Sequence, residues 1–129
     1  YYNAINLCDS PQEIRKKVRA MFTDPTRIKL SDPGHPQKCN VYSYYEVFAP
    51  QHTEEVCQWC TKAQKGCTQC KEILAEKLIE RLAPIQEKRN ILAQNKERVK
   101  EILDAGRKHA QKIAQETMHQ VKDIVFGKN

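Results

Sequence analysis

The chain has 129 residues, one domain's worth of polypeptide. With 40% hydrophobic and 29% charged residues but only 4 Gly and 6 Pro, it is too apolar for a disordered chain and too Gly- and Pro-poor for a fibrous one. Lys and Arg number 22 against 16 acids, a formal charge of +6 that permits a polyanionic partner, while no apolar run approaches a membrane span and no basic-then-apolar start marks a signal peptide.

Residues 1–10 show no clear period and begin without Met, as expected of a piece of something longer. Ser10-Pro11-Gln12-Glu13 is a capping box with Pro at the first helical position, and Ile14, Val18, Met21 and Phe22 make one apolar face behind it. Asp24-Pro25 is expected to stop that helix. A breaker-rich connector follows through Ser31-Asp32-Pro33-Gly34-His35-Pro36. Asn40 as a cap, with Val41, Tyr44, Tyr45 and Phe48 spaced by three and four, predicts a second helix. Thr53 is expected to cap a third, from Glu54 to Gln64, that Gly66 ends. The next helix begins at Cys67-x2-Cys70 and continues through Leu74, Leu78, Leu82, Ile85 and Leu92, with Pro84 expected to kink or break it. Asn95 opens the last, whose stripe runs from Val99 through Ile102, Leu103, Gly106, Ala110, Ile113, Ala114, Thr117 and Val121 to Ile124 and Val125. A close helix crossing would explain Gly106. These elements predict an all-α fold, a helical bundle with a metal-pinned loop region.

Six cysteines are the strongest compositional signal: Cys8, Cys39, Cys57, Cys60, Cys67 and Cys70. Four lie within 14 residues as Cys57-x2-Cys60-x6-Cys67-x2-Cys70. A disulfide framework suits small loop-rich secreted domains and fits a helical chain without an export signal poorly. Clustered thiols in a reducing cytosol point to metal or redox chemistry, and the thioredoxin-like use of one pair lacks the strand it requires. Tetrahedral zinc would take Cys57, Cys60, Cys67 and Cys70; an iron–sulfur cluster would take four thiolates that can include a distant one. Spacing alone does not separate the two, and a third reading leaves the thiols reduced and unused. Cys8, standing alone, is expected to be a small buried residue.

Charge is uneven, with residues 1–30 and 67–129 net basic and 31–66 slightly acidic. Lys38, Lys62 and Lys65 flank the cysteines and are the candidate polyanion contacts, ahead of Arg107, Lys108 and Lys112 on the last helix, which resemble an ordinary solvated face. Trp59 is expected to shield a metal site or pack in the core, with base stacking as the sharper alternative. Tyr42, Tyr44 and Tyr45 are read as packing residues. His35, His52, His109 and His119 show no ligand spacing.

Tyr2-Asn3-Asn6 within YYNAINLCDSPQEIRKKVRAMFTDPTRI resembles the stretch just after the KMSKS motif of tryptophanyl-tRNA synthetases. The resemblance continues through Asp32-Pro33-Gly34-His35-Pro36, Cys39 and CTKAQKGCTQCKEILAEKLIERLAPI, over nearly the whole chain. It is to the bacterial subgroup whose carboxy-terminal domain carries a 4Fe–4S cluster, through Cys39-x20-Cys60-x6-Cys67-x2-Cys70. The first spacer is a couple of residues shorter than in that subgroup, a change a loop absorbs. The resemblance implies that Cys39, Cys60, Cys67 and Cys70 ligate the cluster and that Cys57 is a spare thiol. It implies a cytoplasmic, homodimeric parent enzyme that activates tryptophan with ATP and Mg and transfers it to tRNA. The nucleotide-binding fold and the HIGH-type and KMSKS motifs would lie upstream, so this segment by itself has no catalytic residues. Residues 1–22 would be the tail of the catalytic domain and 23–129 the anticodon-binding domain, with tRNA as partner.

Overall fold

A computed structural model describes residues 4–127, so Tyr2 and Asn3 of the resemblance lie outside the described residues. The described chain is all-helical and divides into two compact units, the first ending at Glu87 and the second beginning at Lys88.

In the first unit, helix α1 (Pro11–Arg19) starts on the expected capping box. The Ser10 amide donates to the Glu13 carboxylate at 2.7 Å, and the Glu13 amide donates to the Ser10 hydroxyl at 3.3 Å. The helix ends at Arg19, before the expected stop, so Met21 and Phe22 lie beyond it and Phe22 is left 56% exposed. Asp24 is instead a buried hub for the connector. Its carboxylate accepts from the Thr26 amide and hydroxyl (2.9 and 2.6 Å) and from the His35 amide (2.8 Å), and its other close neighbour is the His35 ring nitrogen at 2.8 Å.

A 3-10 turn (Pro36–Lys38) leads into α2 (Asn40–Phe48). Cys39 occupies the cap position and makes no side-chain cap bond, while Asn40, expected to cap, is already helical. A second 3-10 turn (Pro50–His52) precedes α3 (Thr53–Thr61). That turn moves the cap position to His52 and draws Thr53 into the helix, where its hydroxyl is buried with no hydrogen-bond partner. Helix α3 stops at Thr61, short of the expected Gln64; Ala63 then adopts a left-handed φ of 52° and reverses the chain without using Gly66.

Helix α4 (Cys67–Gln94) continues through Pro84 instead of breaking there. Pro84 is exposed and lies past Leu82, the last core residue, so only one main-chain hydrogen bond, on the solvent side, is forfeited. The core gathers Ile14 and Val18 of α1, Val41 and Tyr45 of α2, Val56 and Trp59 of α3, and Leu74, Ala75, Leu78 and Leu82 of α4. Burying each large aliphatic side chain contributes about 1.5–3 kcal/mol. Because α1 shares this core, residues on both sides of the expected 22/23 boundary belong to one packed unit.

The second unit holds the end of α4 and helix α5 (Lys96–Phe126), which Asn95 caps by accepting from the Arg98 amide at 3.0 Å. At 31 residues it is roughly 46 Å long. No residue of α5 is buried, and nothing comes within 4 Å of a Cβ placed on Gly106. Within this unit the stripe is therefore not buried, and no close crossing meets Gly106. Pairs such as Arg98–Glu101 (2.9 Å) and Lys112–Glu116 (3.9 Å) lie along its surface at helical spacing.

Candidate metal centre

Three helix ends meet around one cavity. Cys39 stands at the head of α2, Cys60 in the last turn of α3, and Cys67 and Cys70 in the first turn of α4; all four line the same space. The left-handed turn at Ala63 brings this about, since it folds the start of α4 back beside the end of α3. The Cys70 amide then donates to the Gly66 carbonyl at 3.0 Å, closing the first turn of α4. From the other side the Gly34 amide donates to the Cys60 carbonyl at 2.9 Å. The approach is close enough that a Cβ on Gly34 would lie 2.5 Å from the Cys60 sulfur.

The remaining walls are largely apolar, with Val41, Val56, Tyr42 and Trp59 beside the thiols. Burial pushes the Cys70 thiol up to about 12, reinforced by Cys39, Cys67 and Cys60 and opposed by the Tyr45 side chain. Burial also raises Cys60, and the Arg27 guanidinium opposes that rise. At neutral pH the deepest thiol is therefore protonated, and binding a metal there must release its proton. All six cysteines are free thiols. Among the described residues no set of three or more His, Cys, Asp and Glu side chains stands close enough to hold a single metal ion.

Cys57 does not line the cavity; it lies beside the Tyr42 phenol, whose pKa is raised chiefly by burial and further by Cys57. Cys8 is exposed, contrary to the expected burial, because it precedes the capping box in a turn outside the core. Trp59 is only 9% exposed and closes the cavity wall, with the Lys65 ammonium 3.5 Å from the centre of its ring. Lys65 is thus engaged, whereas Lys38, at the end of the first 3-10 turn, and Lys62, just beyond α3, are exposed. Three of the four histidines have local partners: His35 on Asp24, His52 at 3.6 Å from Glu55 and His119 at 3.7 Å from Asp123.

Sequence reasoning missed Arg27 and Gly34 as parts of this site. Arg27 sits among breakers in the connector, with no periodicity or spacing to mark it, and only the tertiary fold carries it to the cavity wall. Gly34 was legible as a turn residue; the sulfur packed against it was not.

Comparison with known proteins follows the whole chain. Residues 1–83 match the family model described as tRNA synthetases class I (W and Y). The tryptophan–tRNA ligase of Aquifex aeolicus is 36% identical over 124 residues, covering 95% of this chain and 31% of that protein. The Thermotoga maritima tryptophan–tRNA ligase is also 36% identical, with 95% of this chain and 38% of that protein covered. The crystal structure of tryptophanyl-tRNA synthetase from Campylobacter jejuni complexed with ADP and tryptophan superposes with a TM-score of 0.82 at 29% identity, over 97% of this chain and 39% of that one. The chain thus spans about a third of the length of the curated relatives it matches. Its sequence match and its helical architecture agree, and the chain belongs to the class I tRNA synthetase family of the tryptophan and tyrosine enzymes.

Proposed function

We propose that this chain is the anticodon-binding segment of a tryptophan–tRNA ligase, pinned by a 4Fe–4S cluster on Cys39, Cys60, Cys67 and Cys70. The parent enzyme would attach tryptophan to its tRNA with ATP and Mg, as a cytoplasmic homodimer joined through its catalytic domain. Residues 1–22 are the tail of that domain in sequence, and 23–129 the tRNA-binding part. The observation that carries the reading is the convergence of these four thiols, from three helix ends, on one largely apolar cavity.

One feature favours a cluster over the zinc alternative. Cys57, the thiol zinc would need in place of Cys39, lies outside the cavity. When bound, the cluster would supply a four-point crosslink of iron–thiolate bonds among the head of α2, the end of α3 and the start of α4. The chain's own residues do the rest. Trp59 and Tyr42 exclude water from the sulfurs, and Lys38 and Lys62 stay exposed near the crosslink, where they can track phosphates beside unpaired bases.

Oxygen-free purification of the full chain tests this. The expected product is brown, contains iron and sulfide, and binds tryptophan-specific tRNA; Cys39→Ser abolishes iron loading, Cys57→Ser retains it, and chelation weakens tRNA binding and lowers Tm. A colourless zinc protein dependent on Cys57 overturns the proposal in favour of an independent zinc-stabilised binding module. A metal-free chain that melts and binds tRNA as before overturns any metal role.

A further inference from the structure

The cavity that gathers the thiols also gathers positive charge. Arg27 and Lys65 line it, and no carboxylate does among the described residues. Arg27 is half-buried, and among the described residues no carboxylate pairs with it. Its guanidinium instead bonds main-chain carbonyls and faces a sulfur. One terminal nitrogen donates to the Leu30 carbonyl at 2.9 Å and to the Lys65 carbonyl at 3.0 Å, tying the connector to the turn between α3 and α4. The other points at the Cys67 sulfur at 4.0 Å. A partly desolvated cation facing four thiols with no carboxylate beside it is unbalanced as it stands, because buried charge is ordinarily paired.

Resting on the cluster reading above, we propose that Arg27 is the positioning residue and resident counter-charge of the thiolate set, with Lys65, held over Trp59, as the second cation. A 4Fe–4S core carrying four thiolates in its oxidised resting state is a dianion, and two cavity-lining cations match it in sign and number. The fork geometry matters separately from the charge. Only a planar guanidinium can bond both loops through one nitrogen while directing the other at a sulfur, so a lysine at this position would keep the charge and lose the clamp. Lys65 is thereby assigned to the cluster environment and not to tRNA phosphate.

The test uses the full chain, isolated without oxygen and reconstituted with iron and sulfide. Its readouts are the cluster's reduction potential, followed by bleaching of visible absorbance, and the rate of iron release to a chelator. Arg27→Met is expected to disfavour the reduced, more negative cluster at least tenfold, about 59 mV more negative for one electron, and to release iron at least tenfold faster. Arg27→Lys is expected to keep the reduction equilibrium within twofold of the parent chain, about 18 mV for one electron, yet release iron several-fold faster. Lys65→Met is expected to shift the potential in the same direction as Arg27→Met. An Arg27→Met chain that loads fully and keeps the parent potential overturns the counter-charge role. Should Arg27→Met fail to load, the decision passes to Arg27→Lys: loading with the parent potential supports the proposal, and failure to load overturns it by making the fork purely structural. A parent chain that takes up no iron defeats the cluster reading itself, and is recognised before any variant is compared.

Discussion

Replacing Gly34 with alanine isolates one contact of the site. The added methyl would lie 2.5 Å from the Cys60 sulfur, 3.2 Å from Arg27 Cδ and 3.6 Å from the Cys60 carbonyl oxygen. To regain an ordinary 3.4 Å contact, the glycine and the sulfur must part by nearly an ångström. Separation is resisted: the Gly34 amide is bonded to the Cys60 carbonyl at 2.9 Å, and the added methyl is also crowded by Arg27 Cδ at 3.2 Å. Overpacking of this kind costs about 1–3 kcal/mol. Against it stands the stiffer unfolded chain of alanine, worth about 0.4–1 kcal/mol, since Gly34 has no left-handed φ to preserve. The net expectation is a loss of about 1–2 kcal/mol in urea unfolding of the metal-free chain, together with reduced iron uptake. Gly66→Ala is the matched control, because its Cβ meets only the tip of the exposed Leu30 side chain at 3.0 Å; it should stay within about 0.5 kcal/mol of the parent. A Gly34→Ala chain as stable as the control, and equally loaded with iron, would refute this account of the loop's approach to Cys60.

Gly106→Ala should have the opposite sign, raising the stability of α5 by up to about 1 kcal/mol, because the added methyl meets nothing and removes a helix-interior glycine; circular dichroism on heating will show more retained helix. The Thr26 hydroxyl above all, with the Thr26 amide and then the His35 side chain and amide, holds the Asp24 carboxyl well below the usual carboxylate range. Its contribution is therefore complete above the unfolded value of about 4 and is lost as pH falls through the depressed folded value. Asp24→Asn should be less stable than the parent at pH 7, with the gap closing in acid, as read from urea midpoints across pH. Tyr45→Phe removes the bond that the buried hydroxyl donates to the Cys70 carbonyl at 2.9 Å and should cost about 0.5–1.5 kcal/mol in the same assay. If the exposed Lys62 touches a phosphate of single-stranded anticodon RNA, Lys62→Ala will lower the slope of log affinity against log salt by roughly 0.7, and an unchanged slope removes it from the interface.

Local structure was legible from the residues alone. The capping box at Ser10, the spacing of Val41, Tyr45 and Phe48, and the leucines of α4 specify helices because propensity, caps and the 3.6-residue period act within a few residues. The placement of Cys60, Cys67 and Cys70 near one another was legible for the same reason, as only a short turn separates them. Where helices ended was not, since Ala63 reverses the chain ahead of the expected glycine and Pro84 is carried by an exposed helix face. Nor could the pattern show that α5 finds no burial within its own unit: periodicity reports a face that is able to pack, and burial depends on what else is present. The tertiary structure alone decided that Cys39 and not Cys57 shares the cavity, that Lys65 lies on Trp59, and that Arg27 and Gly34 complete the walls. Each of these is a meeting of residues distant in sequence or turned to one side of a helix, and such meetings are set by how the core closes, a global property that no short window of residues contains.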